Sequence, residues 1–262
     1  MQKYVDRTKQ SADKIFDART LQHDYKTVVP LIKPGMIVLD VGCGTGAITK
    51  GIAELVGPTG KVVGIDHTLE FINSGNQMNS DIQNLELIHI DLMDFTPNEM
   101  FDLIVSARTL QWLTNQKEAI IKMKSLLKPN GVLSVLDYIH EDIDWQPKVP
   151  DSMQAFYQSW LTWRRDSGMN NRMAENLPDL FREAGFQNIE IYESNEYYHN
   201  NHPLFVDKLK IWLKVASSKQ LVEEGYVSED LRQSAIIDYQ NWIDEEALSM
   251  EMVLKEVRGI SL

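Results

Sequence analysis

The 262 residues, 43% hydrophobic and 24% charged with no repeat or low-complexity tract, describe an ordinary globular core carrying insertions. A formal net charge of −12 argues against a surface built to neutralise nucleic-acid phosphates, and no apolar run nears the roughly 18 residues that cross a bilayer, which sets aside nucleic-acid substrates and membrane insertion. One cysteine, Cys43, excludes an internal disulfide and a cysteine-based metal cluster; with a polar amino terminus it predicts an unexported, cytoplasmic protein.

Residues 1–30, with Tyr4, Phe16 and Tyr25, are expected to form a helical lid. From Met36 one pattern repeats. Five apolar, β-branched runs, Met36–Val41, Lys61–Asp66, Leu85–Ile90, Phe101–Ser106 and Val132–Tyr138, read as strands buried on both faces of a parallel sheet. Between them, helical spacing of apolar residues covers 46–56, 68–78 and 115–127. Lys33-Pro34-Gly35, Gly57-Pro58-Thr59-Gly60 and Lys128-Pro129-Asn130-Gly131 place turns before the first, second and fifth strands. Alternating β and α predicts an open α/β sheet with helices on both faces, its core over 31–140. After Tyr138 the pattern changes. Glu141 to Pro150 is acidic, a helix with Phe156, Tyr157, Trp160 and Trp163 follows, and another covers about 174–184, so 141–186 is expected as a helical cap built from a late insertion. Gln187–Tyr198 reads as a strand, about 203–224 and 228–247 as helices, and Met250–Ile260 as a last strand. Residues 187–262 would thus supply the last two strands of the core, with a helical insertion over about 200–248.

Val38 to Ala47 runs from a strand through Gly42, Gly44 and Gly46 into a helix. Glycine there removes Cβ atoms and allows positive φ, so a ligand can lie against the backbone and meet the first N–H groups of the helix. Ligands of open α/β sheets bind at the carboxyl ends of the strands, where this turn falls. Gly42-x-Gly44-x-x-Ala47 also satisfies the dinucleotide fingerprint, with Asp66 placed to accept from an NAD ribose, so the turn alone does not choose the ligand. The neighbouring acids choose. Asp40 precedes the glycines, where a carboxylate repels a pyrophosphate and attracts an ammonium. Asp66 ends the second strand, where a carboxylate can take both ribose hydroxyls, and Asp91 follows the third, able to accept from an adenine amino group while Leu92 covers the ring. Three carboxylates at neighbouring strand ends predict a cationic, non-phosphorylated nucleoside.

The run Val38–Ala47 resembles the glycine motif of class I S-adenosylmethionine-dependent methyltransferases, and Gly64-Ile65-Asp66 resembles their ribose-binding strand end. His89–Asp94 is similar to their adenine-side motif, Phe101–Trp112 to their fourth strand and following loop, and Leu126–Gly131 to their turn before strand five, although Asn130 stands where many relatives have glycine. The match covers about 30–140 and is similar in flavour to the small-molecule enzymes of the ubiquinone and menaquinone biosynthesis type. The resemblance implies a Rossmann-like, seven-stranded, mostly parallel sheet with an antiparallel last strand, a place for Met250–Ile260. It also implies S-adenosylmethionine as methyl donor and S-adenosylhomocysteine as product. The cofactor contacts it implies come from Gly42, Gly44, Gly46, Asp66 and Asp91, with His67 stacking on the ring face; Asp40, Leu92 and Arg108 complete the expected cofactor-binding set.

Methyl transfer from a sulfonium is an in-line displacement whose leaving group is already activated, so the protein mainly aligns the reactants. A base is required only where the acceptor must lose a proton. Candidates follow strands four and five: Gln111 to orient a small-molecule acceptor, Trp112 to shape the wall, and His140 as a base, because an ordinary pKa of about 6.5 suits proton removal at neutral pH. Arg164, Arg165 and Arg172 of the cap suit either an anionic acceptor or the protein's own acidic surface. His199 and His202 have no cysteine partner, and no metal site is predicted. An NAD(P)-dependent oxidoreductase and a non-catalytic S-adenosylmethionine-binding module stand as alternatives.

Overall fold

The computed structural model describes residues 19–262. Tyr4 and Phe16 of the expected lid lie outside the described residues. Its described end is a short helix, α1 (Leu21–Asp24), capped by Thr20, whose side chain accepts from the His23 N–H; a 3-10 turn over Lys26–Leu31 follows.

The β and α alternation then runs as the periodicity predicts. It comprises β1 (Ile37–Val41), α2 (Ala47–Val56), β2 (Lys61–Asp66), α3 (Leu69–Met78), β3 (Leu85–His89), β4 (Phe101–Ala107), α4 (Gln116–Ser125) and β5 (Leu127–Gln146). Beyond β5 come α5 (Asp151–Asp166), α6 (Met173–Glu183), β6 (Gln187–Glu193), β7 (Glu196–His199), α7 (Phe205–Ser217), α8 (Gln220–Glu223), α9 (Glu229–Glu245) and β8 (Ser249–Ile260). The strands form one sheet in the order β3-β2-β1-β4-β5-β8-β6, with β7 paired to β8. Strands β1 to β5 pair in parallel, and β8 is antiparallel to both β6 and β7. This is the mostly parallel, Rossmann-like α/β sheet with an antiparallel last strand.

Four boundaries differ from the sequence reading. Among the described residues the sheet has eight strands rather than seven, because Gln187–Tyr198 breaks at Ser194 and Asn195. The Asn195 side chain replaces the ladder there, accepting from the Leu254 N–H at 3.1 Å and donating to Glu251 at 2.7 Å. Strand β5 begins at Leu127, so Lys128–Gly131 is an irregularity within it rather than a turn before it. Asn130 takes a positive φ of 64° that asparagine tolerates, while its N–H and the Gly131 carbonyl pair with Ser261. At its other end β5 runs on through the acidic stretch to Gln146, where exposed Glu141, Asp142 and Asp144 precede a buried Trp145. The helical stretch about 203–224 is two helices, parted at Ser218 and Lys219.

By contacts the described chain falls into two compact units. One contains residues 19–137 together with Met173–Ser194 and Lys255–Leu262. Its core packs Leu39, Val41, Ile65, Ile104 and Val135 of the strands against Ile120 and Met123 of α4 and Leu177 and Phe181 of α6, all almost fully buried. The other contains Tyr138–Arg172 and Asn195–Leu254. There α9 packs against α5 and α7, burying Phe156, Tyr157, Trp160 and Trp163 of α5 with Trp212 and Trp242. The aromatic stripe of α5 is thus core. Among the described residues no helix is long and apolar enough to cross a membrane.

Candidate functional site

Strand β1 ends in the glycine turn, with φ of 76° at Gly42, 58° at Gly44 and 81° at Gly46. Packing demands two of these glycines: a Cβ at Gly42 would stand 2.2 Å from the Thr109 hydroxyl oxygen, and one at Gly46 would stand 2.9 Å from a Leu87 methyl. The middle one differs. A Cβ at Gly44 would meet no atom of the described residues within 4 Å, so the turn presents bare backbone to open space there. The N–H groups of the turn itself are used within the protein. Gly42 and Cys43 both donate to the Ile65 carbonyl, at 2.8 and 3.1 Å, Gly44 donates to the Asp66 carboxylate at 3.0 Å, and Gly46 donates to the Cys43 carbonyl at 3.0 Å.

The acids stand at the strand ends where the sequence puts them. Asp40, 4% exposed, accepts from the Thr49 hydroxyl at 2.6 Å, a partner in the first turn of α2 that sequence reasoning missed. Burial pushes the Asp40 carboxyl up to about 7; the Thr49 hydrogen bond opposes that shift and the charge of Asp66 adds to it. Asp66 is itself buried and bridges the turn to the start of α3, its second oxygen accepting from the Thr68 N–H at 2.8 Å. His67 is exposed beside it, Nδ1 3.6 Å from the Asp66 carboxylate. Asp91 is exposed and accepts from the Met93 N–H at 2.8 Å, with Leu92 buried behind it. Cys43 lies within the turn, where burial, then the charges of Asp40 and Asp66, push its thiol well up.

A glycine turn of this geometry, with its carboxylates on an open mostly parallel sheet, has relatives. The methyltransferase domain family matches residues 32–199, more than half of the chain. The chain belongs to the methyltransferase domain family. Demethylmenaquinone methyltransferase of Staphylococcus aureus (strain JH9) is 29% identical over 178 residues, 61% of this chain and 71% of that enzyme. Among solved structures, the YcgJ protein of Bacillus subtilis superposes with a TM-score of 0.61 at 15% identity, covering 92% of this chain and 98% of that one. Phosphoethanolamine N-methyltransferase 2 of Haemonchus contortus, solved with phosphomonomethylethanolamine and S-adenosylhomocysteine, gives 0.58 at 14% identity. This chain is covered to 99% in that comparison but spans only 59% of the Haemonchus chain. At such identities the structures speak for the fold, which is that of the class I S-adenosylmethionine-dependent methyltransferases.

In this methyltransferase the loop after β4 is buried. Gln111, 1% exposed, donates its side-chain amide to the Arg108 carbonyl at 3.3 Å and its backbone N–H to Asp137 at 3.1 Å. The Trp112 indole also donates to the Arg108 carbonyl, at 3.1 Å. Arg108, 5% exposed, donates its guanidinium to the Asp24 carbonyl at 2.9 Å.

The other unit of the methyltransferase holds His140, 5% exposed, stacked on Tyr138 at 4.9 Å and edge-on to Trp160 at 5.1 Å. The ordinary pKa expected of His140 does not hold: burial pushes it well down and the Arg164 cation pushes the same way, so the ring is neutral at physiological pH. Arg164 is buried over Trp160 and donates to Asn171 at 2.8 Å, and Arg172 pairs with Asp142 at 2.9 Å and Glu141 at 3.3 Å. His199 and His202 accept from the backbone N–H groups of Asn201 and Leu204.

Proposed function

We propose that this methyltransferase moves the methyl group of S-adenosylmethionine to a small-molecule acceptor by direct in-line transfer. The observation that carries the choice of cofactor is the state of the glycine turn. Its N–H groups at Gly42, Cys43, Gly44 and Gly46 are already bonded within the protein, and Asp40 and Asp66 lie buried beside it. A dinucleotide pyrophosphate needs such N–H donors and is repelled by the carboxylates; a methionine ammonium and ribose hydroxyls suit both features. We assign Asp40 to the ammonium, Gly42, Gly44 and Gly46 to the backbone bed, Asp66 to the ribose, Asp91 and Leu92 to the adenine, and His67 to its face. The sulfonium supplies an activated methyl group, and these residues hold and align it.

The cofactor reading falls on the core of about 31–140, and acceptor choice on the later insertions. Gln111 is assigned to orienting the acceptor; His140 stays the candidate base, one that burial weakens and that therefore suits only an acceptor that loses its proton readily. The name of the Staphylococcus relative supports a small organic acceptor. The single cysteine supports a reducing, cytoplasmic setting. Calorimetry with S-adenosylhomocysteine tests the cofactor: we expect saturable binding, and no binding at hundreds of micromolar would overturn the reading. Asp66→Ala should weaken that binding by about 1.5–3 kcal/mol, the scale of hydrogen bonds to a charged group. A thermal shift with NADH in place of S-adenosylhomocysteine would favour the oxidoreductase instead.

A further inference from the structure

Arg108 follows β4 in a left-handed conformation, φ 60°, that a residue with a side chain rarely adopts. Hydrogen bonds converge on it. Its N–H donates to the Leu136 carbonyl at 2.7 Å, its carbonyl accepts from the side chains of Gln111 and Trp112, and its guanidinium holds the Asp24 carbonyl. Strained backbone held this firmly fixes the direction of the next residue. That residue is Thr109, whose side chain fills the space a Cβ at Gly42 would need. The conformation of Arg108 therefore sets one wall of the glycine turn.

The segment that Arg108 grips is anchored on the turn's other flank. Leu21 packs against Gly51 of α2, the helix that leaves the turn, so closely that a Cβ at Gly51 would stand 2.7 Å from the Leu21 Cβ. Residues 20–31 thus tie the end of β4, through Arg108, to α2, through Leu21. Further ties hold the segment from its far side, Tyr25 to Ser134 and Thr27 to Arg258.

We propose that Arg108 is a positioning residue for the cofactor: by gripping the Asp24 carbonyl it closes a brace, residues 20–31, that holds the β4 loop and α2 at the spacing the glycine turn needs for its ligand. The proposal rests on the S-adenosylmethionine reading and gives Arg108 a different task from direct cofactor contact. The Nη2 of the guanidinium is committed to the chain's own backbone.

The test uses the full chain, S-adenosylhomocysteine as probe, and tryptic cleavage after Lys26, which is exposed within the brace. Arg108→Ala should raise the dissociation constant about tenfold or more and speed cleavage at Lys26, and bound S-adenosylhomocysteine should slow that cleavage in the native chain. Arg108→Lys, which keeps one donor for the Asp24 carbonyl, should restore affinity to within about threefold. Arg108→Gly adopts φ 60° without strain but lacks the guanidinium, so it should melt above Arg108→Ala yet bind as weakly. Leu21→Ala, at the other end of the brace, should also weaken binding. Native-like affinity in Arg108→Ala or Arg108→Gly, or unchanged cleavage at Lys26, would overturn the proposal. A native chain that binds no S-adenosylhomocysteine would remove the cofactor reading and this one together, whereas native binding unaltered in the variants removes this one alone.

Discussion

Asp40 shows how far a single side chain departs from its ordinary chemistry here. Its carboxyl, pushed up to about 7, is half protonated near neutrality, and only its ionised form attracts an ammonium. The sign follows from linkage. A cation favours the deprotonated carboxyl, so below pH 7 the ligand must displace a proton, and affinity for S-adenosylhomocysteine should fall about tenfold between pH 8 and pH 6. In the unliganded chain the folded state holds that proton more tightly than the unfolded one, so stability from this group is lost as pH rises through about 7. Calorimetry across pH 6–8 checks the first effect, and Asp40→Asn should flatten it. The three glycines separate in the same way. Gly44→Ala meets no neighbour and pays only the cost of φ 58°, so it should fold and lose ligand; Gly42→Ala drives a methyl into Thr109 and should lose several kcal/mol of stability. Urea denaturation and ligand titration of the two variants distinguish these outcomes.

Between elements, the ties that matter run across long stretches of sequence. Glu256 on β8 is fully buried, pairs with Arg258 at 2.6 Å, and accepts from Ser134 on β5, whose hydroxyl in turn meets the Tyr25 hydroxyl at 2.7 Å. Glu256→Gln leaves the Arg258 cation with a neutral partner and should cost about 3 kcal/mol, read as a lower denaturation midpoint. No sequence pattern announces this network, because a Glu, a Ser and a Tyr in three apolar runs carry no spacing signal. What was legible was local. The five parallel strands appear in β-branched runs, the turn in its glycines, and Asp40, Asp66 and Asp91 at or just beyond successive strand ends. What was not legible depended on partners distant in sequence: the Asn195 side chain that splits one expected strand into two, and the burial that moves His140 from its ordinary pKa. Thr49, nine residues after Asp40 and in the first helical turn, was the one missed partner within reach of the motif.

At the scale of the whole chain, the glycine turn and the aromatic cluster belong to different compact units. The family match runs from 32 to 199, covering all of the turn and only part of the second unit, which suits a shared donor and a divergent acceptor. Trp212, which packs against Trp160 at 5.3 Å and Tyr157 at 4.9 Å, belongs to the part beyond that match. Trp212→Phe should therefore change KM for the acceptor while leaving S-adenosylhomocysteine affinity within about twofold, as for independent sites. Steady-state kinetics beside calorimetry would show the split. The contact from Arg258 to the Thr27 carbonyl spans 231 residues. During synthesis, then, the brace and the first strands leave the ribosome long before the strand that fastens them: Tyr25 can meet Ser134 early, but the Glu256 carboxylate that Ser134 bonds and the Arg258 guanidinium that holds Thr27 arrive only when β8 emerges.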